Sequence, residues 1–284
     1  MGEATHASGG VPVVRALLSQ VHPVFMLPPL SASLFGGVFA GAVDPATAGA
    51  HVAALFFAVY TAHVKDGYVD FHVRDEDDSH PLSASTCRRA LAGSTAGFLV
   101  ALAAVWALAG PGAAALTAPT WALGYFHAPQ LDTNTVGATT GYPAGIALAL
   151  VGGFYVQTGR LTPAIVGLAG VFLLVLSGIK VVDDAQDFDY DRSIDKRTVA
   201  VVLGERGAYR AAYALMATGM VAVVALALGL RAIPPSAGLA ALVFGAVALV
   251  ARRAEPELAT MLLIRGSYLF LAVLVAAVWF RPLG

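Results

Sequence analysis

The chain has 284 residues, 58% of them hydrophobic and 12% charged, with a formal net charge of −1. Soluble domains carry about 25% charged residues, so this deficit marks a chain that lies largely in lipid. The balanced charge and the lack of a basic patch argue against a nucleic-acid partner, and the single cysteine, Cys87, excludes an intramolecular disulfide.

Taken from the start, the first dozen residues are polar and Gly-rich, with no basic segment ahead of an apolar core. No cleavable signal peptide is expected there, and residues 1–11 read as a flexible N-terminus. A transmembrane helix needs roughly 20 largely apolar residues. On that criterion nine spans are predicted, near 22–43, 48–65, 90–110, 113–129, 140–158, 162–182, 208–230, 235–251 and 259–280. Gly and Pro punctuate many of them, as lipid-embedded helices tolerate. Most connections are short. Two are long and charged: 66–89, after the second span, and 183–207, after the sixth.

Lys and Arg collect in three places: Lys65, Arg74, Arg88 and Arg89; Lys180 through Arg210; and Arg252 with Arg253. With nine spans and a cytoplasmic N-terminus, all three fall on the cytoplasmic side, in accord with the positive-inside rule. The expectation is a single-domain (1–284), all-α, multi-pass protein of the plasma membrane, with both acidic loops cytoplasmic. An aspartate cluster follows the second span and another the sixth. That recurrence suggests two pseudo-repeated four-helix halves around a central cavity.

In the first cluster Asp66 and Asp70 are four apart and share one helix face. In the second, Asp183, Asp187, Asp191 and Asp195 repeat every four residues, with Asp184 beside that stripe. Like charges at this spacing destabilise a helix, so such a stripe needs a compensating cation or full solvation. Mg²⁺ binds through a few carboxylates together with substrate phosphates, and it stabilises charge on a departing diphosphate. Arg192, Lys196 and Arg197, interleaved with the carboxylates, suit an anion held by direct cationic contacts, and Arg74 lies beside the first cluster. No Asp-x-Asp-x-Asp-Gly run with a distal Glu points to a calcium loop. Asp75 to Asp78 read as a solvated loop.

At these residues the chain resembles the UbiA superfamily of intramembrane prenyltransferases. Asp184, Asp187 and Asp191, then Lys196-Arg197-Thr198 and Leu203-Gly204, resemble its second motif. Asp70 aligns with the middle Asp of its first motif and Asp66 with an Asn. Gly67 and Arg74 stand where the family usually has Asp, Asp75 falls one residue late, and His80-Pro81-Leu82 resembles the segment that follows. Tyr125 to Leu131 and Gly152 to Gly159 resemble most the branch that prenylates 1,4-dihydroxy-2-naphthoate, although Asp132 replaces the basic residues usual there.

The resemblance implies transfer of a polyprenyl group from a polyprenyl diphosphate to a lipophilic acceptor, a quinone precursor or other lipid, within the bilayer. It implies Mg²⁺ as cofactor on Asp66, Asp70, Asp184, Asp187 and Asp191. Asp70, Asp187 and Lys180 would take catalytic roles, and Arg74, Arg192, Lys196 and Arg197 would bind diphosphate. Asn134 and Tyr142 are candidates for the cavity wall, and Arg265 is an ionisable residue inside the last span. His63 and His72 flank the first cluster. Three other functions fit less well: an ion-coupled transporter, whose acids should lie at mid-bilayer; a CDP-alcohol phosphotransferase-like enzyme, suggested by Asp66-Gly67; and a catalytically altered member with a scaffold role.

Overall fold

The computed structural model describes residues 10–76, 78–194 and 196–282. Among these residues the chain is helical throughout, with no strand. The helices are α1 (Gly10–Leu18), α2 (Pro23–Phe39), α3 (Pro45–His72), α4 (Ala84–Tyr125), α5 (Thr135–Thr158), α6 (Pro163–Gln186), α7 (Phe188–Ser193), α8 (Val199–Gly229), α9 (Leu239–Ala251) and α10 (Pro256–Phe280). A π-helical turn, His127–Leu131, links α4 to α5, and a 3₁₀ turn, Pro235–Gly238, precedes α9. Of the tail expected to be flexible over 1–11, residues 1–9 lie outside the described residues, and Gly10 already begins α1.

Local chemistry sets the helix starts. Asp44, Ser83, Asn134, Thr162 and Thr198 each accept an N–H from three residues on, which satisfies one of the free donors of a helix N-terminus. Proline occupies the first turn of α2, α3, α6 and α10, where its missing N–H costs no hydrogen bond. Five helices, α3, α4, α6, α8 and α10, are long and apolar enough to cross a membrane. Large apolar side chains such as Val100, Trp106, Val221, Leu228, Leu242 and Phe280 stand exposed. In a bilayer that surface faces acyl chains, and the helices satisfy their own backbone. The protein is a multi-pass integral membrane protein.

Several expected boundaries shift by a few residues, with α3 running on to His72, α4 beginning at Ala84 and α5 at Thr135; two change more. The segments predicted at 90–110 and 113–129 form one element, α4, which breaks at Gly110, where φ is 86° and ψ is 175°. Gly tolerates that conformation, and Pro111 cannot continue the preceding turn. The helix predicted from 208 starts at Val199, because Thr198 caps it, and breaks at Gly204 with φ at 71°.

The largest core joins α2, α5, α6, α8, α9 and α10 around Phe35, Phe154, Phe172, Phe244 and Phe270. Two smaller clusters join α3 to α4. The backbones of α2 and α5 touch: a Cβ on Gly153 would strike the Ser33 carbonyl, and one on Gly36 the Leu150 carbonyl. Small residues give lipid-embedded helices this approach. Pro28 and Pro29 lie inside α2 and leave the Val24 and Phe25 carbonyls without the usual N–H four residues on. Two tyrosines supply the missing donors. Tyr268 of α10 donates to Val24 O at 2.6 Å, and Tyr142 of α5 donates to Phe25 O at 2.7 Å.

Candidate active site

A cavity of about 270 Å³ lies between α2, α3, α4, α5 and α6. One end is polar, with Asp66, Lys180, Asp183, His63 and His127 in its wall, and the rest is lined by apolar and small residues such as Pro29, Leu55, Ala58, Val59, Leu123, Gly145 and Ile146. From Asp66 to Leu55 the wall follows α3 for about 16 Å, at 1.5 Å per residue. The site is an apolar slot closed by charge.

The helix geometry explains the charge. Asp66 and Asp70 lie one turn apart near the end of α3. Lys180, Asp183 and Asp184 occupy the last two turns of α6, where Lys180 Nζ lies 3.0 Å from Asp183 Oδ2 and 2.5 Å from Asp184 Oδ1. The stripe expected at 183, 187, 191 and 195 is not continuous. α6 ends at Gln186, Asp187 is the exposed capping residue between α6 and α7, and Asp195 lies outside the described residues. Stacked like charges oppose a single long helix, and the break turns Asp191 inward, where it is 5% exposed. Burial pushes the Asp191 carboxyl up to about 6, against the opposing pull of Lys196.

Beyond α3 the chain folds back over the polar end. Arg74 grips Asp132 in a bidentate pair at 2.7 and 3.0 Å and lies 3.5 Å from both Asp70 and Glu76. Glu76 also lies 3.5 Å from Lys196 Nζ, so its side chain is buried in a charge network rather than solvated with its neighbours. Asp75 and Asp78 are exposed as expected, and Asp77 lies outside the described residues. The network ties the end of α3 to the π-turn and to the loop after α7. Asp66 from the first cluster and Asp183 from the second line the same end of the cavity, and the Glu76–Lys196 contact joins the loops that follow them.

The remaining site residues divide. Tyr142 lines the cavity with its ring while its hydroxyl serves α2. Asn134 is exposed and spends its side chain on capping α5 and on the Gln130 carbonyl. Arg192 and Arg197 are exposed, and the Arg197 carbonyl accepts from Thr135 at 2.6 Å. Arg265 is exposed on α10. His63 meets His22 edge to face, with centroids 5.0 Å apart. Three participants were missed by sequence reasoning: His127, Glu76 and Asp132 acting as a partner of Arg74. His127 could have been marked by Pro129, which signals that the helix breaks beside it.

The donor set fits a divalent cation. Asp184 Oδ2 is buried with no hydrogen-bond partner, an orphaned carboxylate oxygen of the kind a metal satisfies. Across the polar end and the loops over it, Asp66, Asp70, Glu76, Asp132, Asp183 and Asp191 outnumber their cationic partners Arg74, Lys180 and Lys196. Oxygen donors of this type suit a hard ion such as Mg²⁺.

A helical membrane protein with an apolar cavity capped by carboxylates and Lys180 defines a class: an intramembrane site with one charged end and an apolar remainder. Residues 25–274 match the UbiA prenyltransferase family, and the chain belongs to that family. The fold agrees. A structure described as addressing digeranylgeranylglyceryl phosphate synthase in membranes superposes with a TM-score of 0.73 at 14% identity, covering 95% of this chain and 98% of that one. A UbiA homologue from Archaeoglobus fulgidus, bound to GPP and Mg²⁺, gives 0.70 at 15% identity, covering 95% and 99%. An apo UbiA homologue from Aeropyrum pernix K1 gives 0.70 at 16%, covering 90% and 98%. No curated protein sequence matches the chain at comparable strength. Family membership sets aside the phosphotransferase and transporter readings.

Proposed function

We propose that the protein transfers a polyprenyl group from its diphosphate to a lipophilic acceptor within the membrane, with Mg²⁺ as cofactor. The observation that carries this reading is the cavity: an apolar slot whose closed end gathers Asp66, Asp183 and Lys180. Asp66, Asp70, Asp184, Asp187 and Asp191 would hold the metal, which supplies positive charge opposite a departing diphosphate. Lys180 brings a further cation to the same end, and Arg192, Lys196 and Arg197 line the approach for the anionic head. The apolar wall excludes water that would otherwise capture an allylic cation. His63 Nδ1, buried without a hydrogen-bond partner, would take the proton that the acceptor loses.

The A. fulgidus homologue bound to GPP and Mg²⁺ supports a prenyl diphosphate donor. For the acceptor we favour a quinone precursor of the 1,4-dihydroxy-2-naphthoate kind, on the Tyr125–Leu131 and Gly152–Gly159 segments. We also propose the finer membrane layout: nine spans in two four-helix halves around the cavity, counting α4 as two across Gly110, in the plasma membrane with both acidic loops cytoplasmic. The Lys and Arg bias of those loops supports it.

The test uses proteoliposomes with labelled geranylgeranyl diphosphate, Mg²⁺ and, in parallel, a dihydroxynaphthoate, a glycerol phosphate ether or a total lipid extract. Diphosphate release should stop with EDTA and fall about a hundredfold or more in Asp184→Asn. Release that ignores both EDTA and Asp187→Ala would sink the metal site. A second reading, a catalytically altered member with a scaffold role, is favoured by Arg74 standing against Asp70. Mg²⁺ binding without turnover of any acceptor would support that one.

A further inference from the structure

We propose that His72, His80 and Cys87, with the Leu82 carbonyl oxygen, form a second metal site that takes a borderline-soft divalent ion of the Zn²⁺ type. His72 is the last residue of α3, Cys87 lies in the first turn of α4, and His80 and Leu82 come from the loop between them. The site thus pins both ends of that loop beside the helix end that carries Asp66 and Asp70.

One ligand atom from each of the three side chains falls within 4.8 Å of the others. All three converge on one carbonyl: His72 Nε2 and His80 Nδ1 each lie 3.0 Å from Leu82 O, and Cys87 Sγ lies 3.9 Å from both Leu82 O and His80 Nδ1. Cys87, Leu82 and His80 are buried and His72 is half-buried.

The three side chains crowd a single backbone acceptor. A carbonyl offers two lone pairs, and side-chain atoms of three residues approach it. His80 Nδ1 also lies 3.2 Å from the Leu82 N–H. That contact and the one to Leu82 O require opposite tautomers, so one of them fails in either state. A cation among the four atoms would engage every one of them. Two imidazoles and a thiolate are donors that suit Zn²⁺ or Co²⁺ rather than Mg²⁺, with the Leu82 carbonyl in the fourth position. With metal–nitrogen bonds of about 2.0 Å and a metal–sulfur bond of about 2.3 Å, tetrahedral ligands stand about 3.3–3.5 Å apart, so the contacts to Leu82 O and Cys87 Sγ need shift by only a few tenths of an ångström. On binding, the Cys87 thiol loses its proton to solvent and the sulfur lone pair forms the new bond.

This site is independent of prenyl transfer, and so is its test. Cys87 is the only cysteine, so any thiolate-to-metal signal reports it alone. The purified full chain in detergent would be loaded with Co²⁺ and passed through gel filtration. About one Co²⁺ per chain should stay bound with a thiolate-to-cobalt absorption band, and Zn²⁺ should displace it. Asp184→Asn, a change at the carboxylate site, should leave the band intact. Cys87→Ser should abolish it and keep Mg²⁺ binding. In the unmutated chain, Zn²⁺ should slow alkylation of Cys87 at least tenfold. Absence of the band from the unmutated protein, or its loss on gel filtration, would overturn the proposal without any variant.

Discussion

Asp191 is a buried carboxylate held short of full ionisation. Its acidity lies near 6 because burial disfavours the charge. A folded-state value above the unfolded one means the folded protein binds more protons between the two, so its stability falls as pH rises through that window. Asp191→Asn removes that cost. The metal-free variant should melt higher than the parent at pH 8 and equal to it near pH 4, and added Mg²⁺ should narrow the advantage by stabilising the parent more than the variant. Thermal unfolding in detergent decides it. A parent that melts higher at pH 8 without metal would contradict the assignment. At this scale the sequence shows the carboxylates through their four-residue spacing. It does not show which of them are buried. Nor does it show that Arg74 is paired with Asp132, 58 positions away, because no local period links the two.

At the scale of the helix, packing in lipid rests on contact rather than on water release. The approach of Gly36 and Gly153 to opposing carbonyls is therefore exacting. Gly153→Ala forces α2 and α5 apart and should cost about 1–3 kcal/mol, read as a lowered unfolding midpoint. Gly145→Ala, where a Cβ meets nothing within 4 Å, is the matched control. Apolar length and Pro/Gly punctuation made most elements legible beforehand. The larger changes at Gly110 and Val199, and the break in the acidic stripe after Gln186, depend on a local φ, on a cap and on charge repulsion, which hydropathy does not weigh. The small-residue contact between α2 and α5 could be seen only once the two helices were known to be neighbours.

Across the whole molecule, the cavity joins residues from five helices and the loop between two of them. Its existence was legible as a recurrence of acidic clusters. Its depth was not, because depth follows from which small residues face inward. Gly145 is one of these. Gly145→Leu adds volume into open space with φ in the ordinary range, so the fold should persist while the slot shortens. With a geranylgeranyl donor, kcat/KM should drop about tenfold or more relative to a geranyl donor, since binding energy from the remote part of a substrate is lost. An unchanged ratio would place the tail elsewhere.

The prolines of α2 also constrain the order in which the chain can change. While Pro28 withholds an N–H from Val24 O, Tyr268 is its donor. Tyr268→Phe alone should lower stability by about 1 kcal/mol. In a Pro28→Ala background, where the backbone supplies its own N–H, the same substitution should be near neutral. The proline can therefore be lost first and the tyrosine second at little cost, but the reverse order passes through a weakened intermediate. Pro29 and Tyr142 obey the same rule, so the Tyr142 hydroxyl has a structural task whatever its ring faces in the cavity.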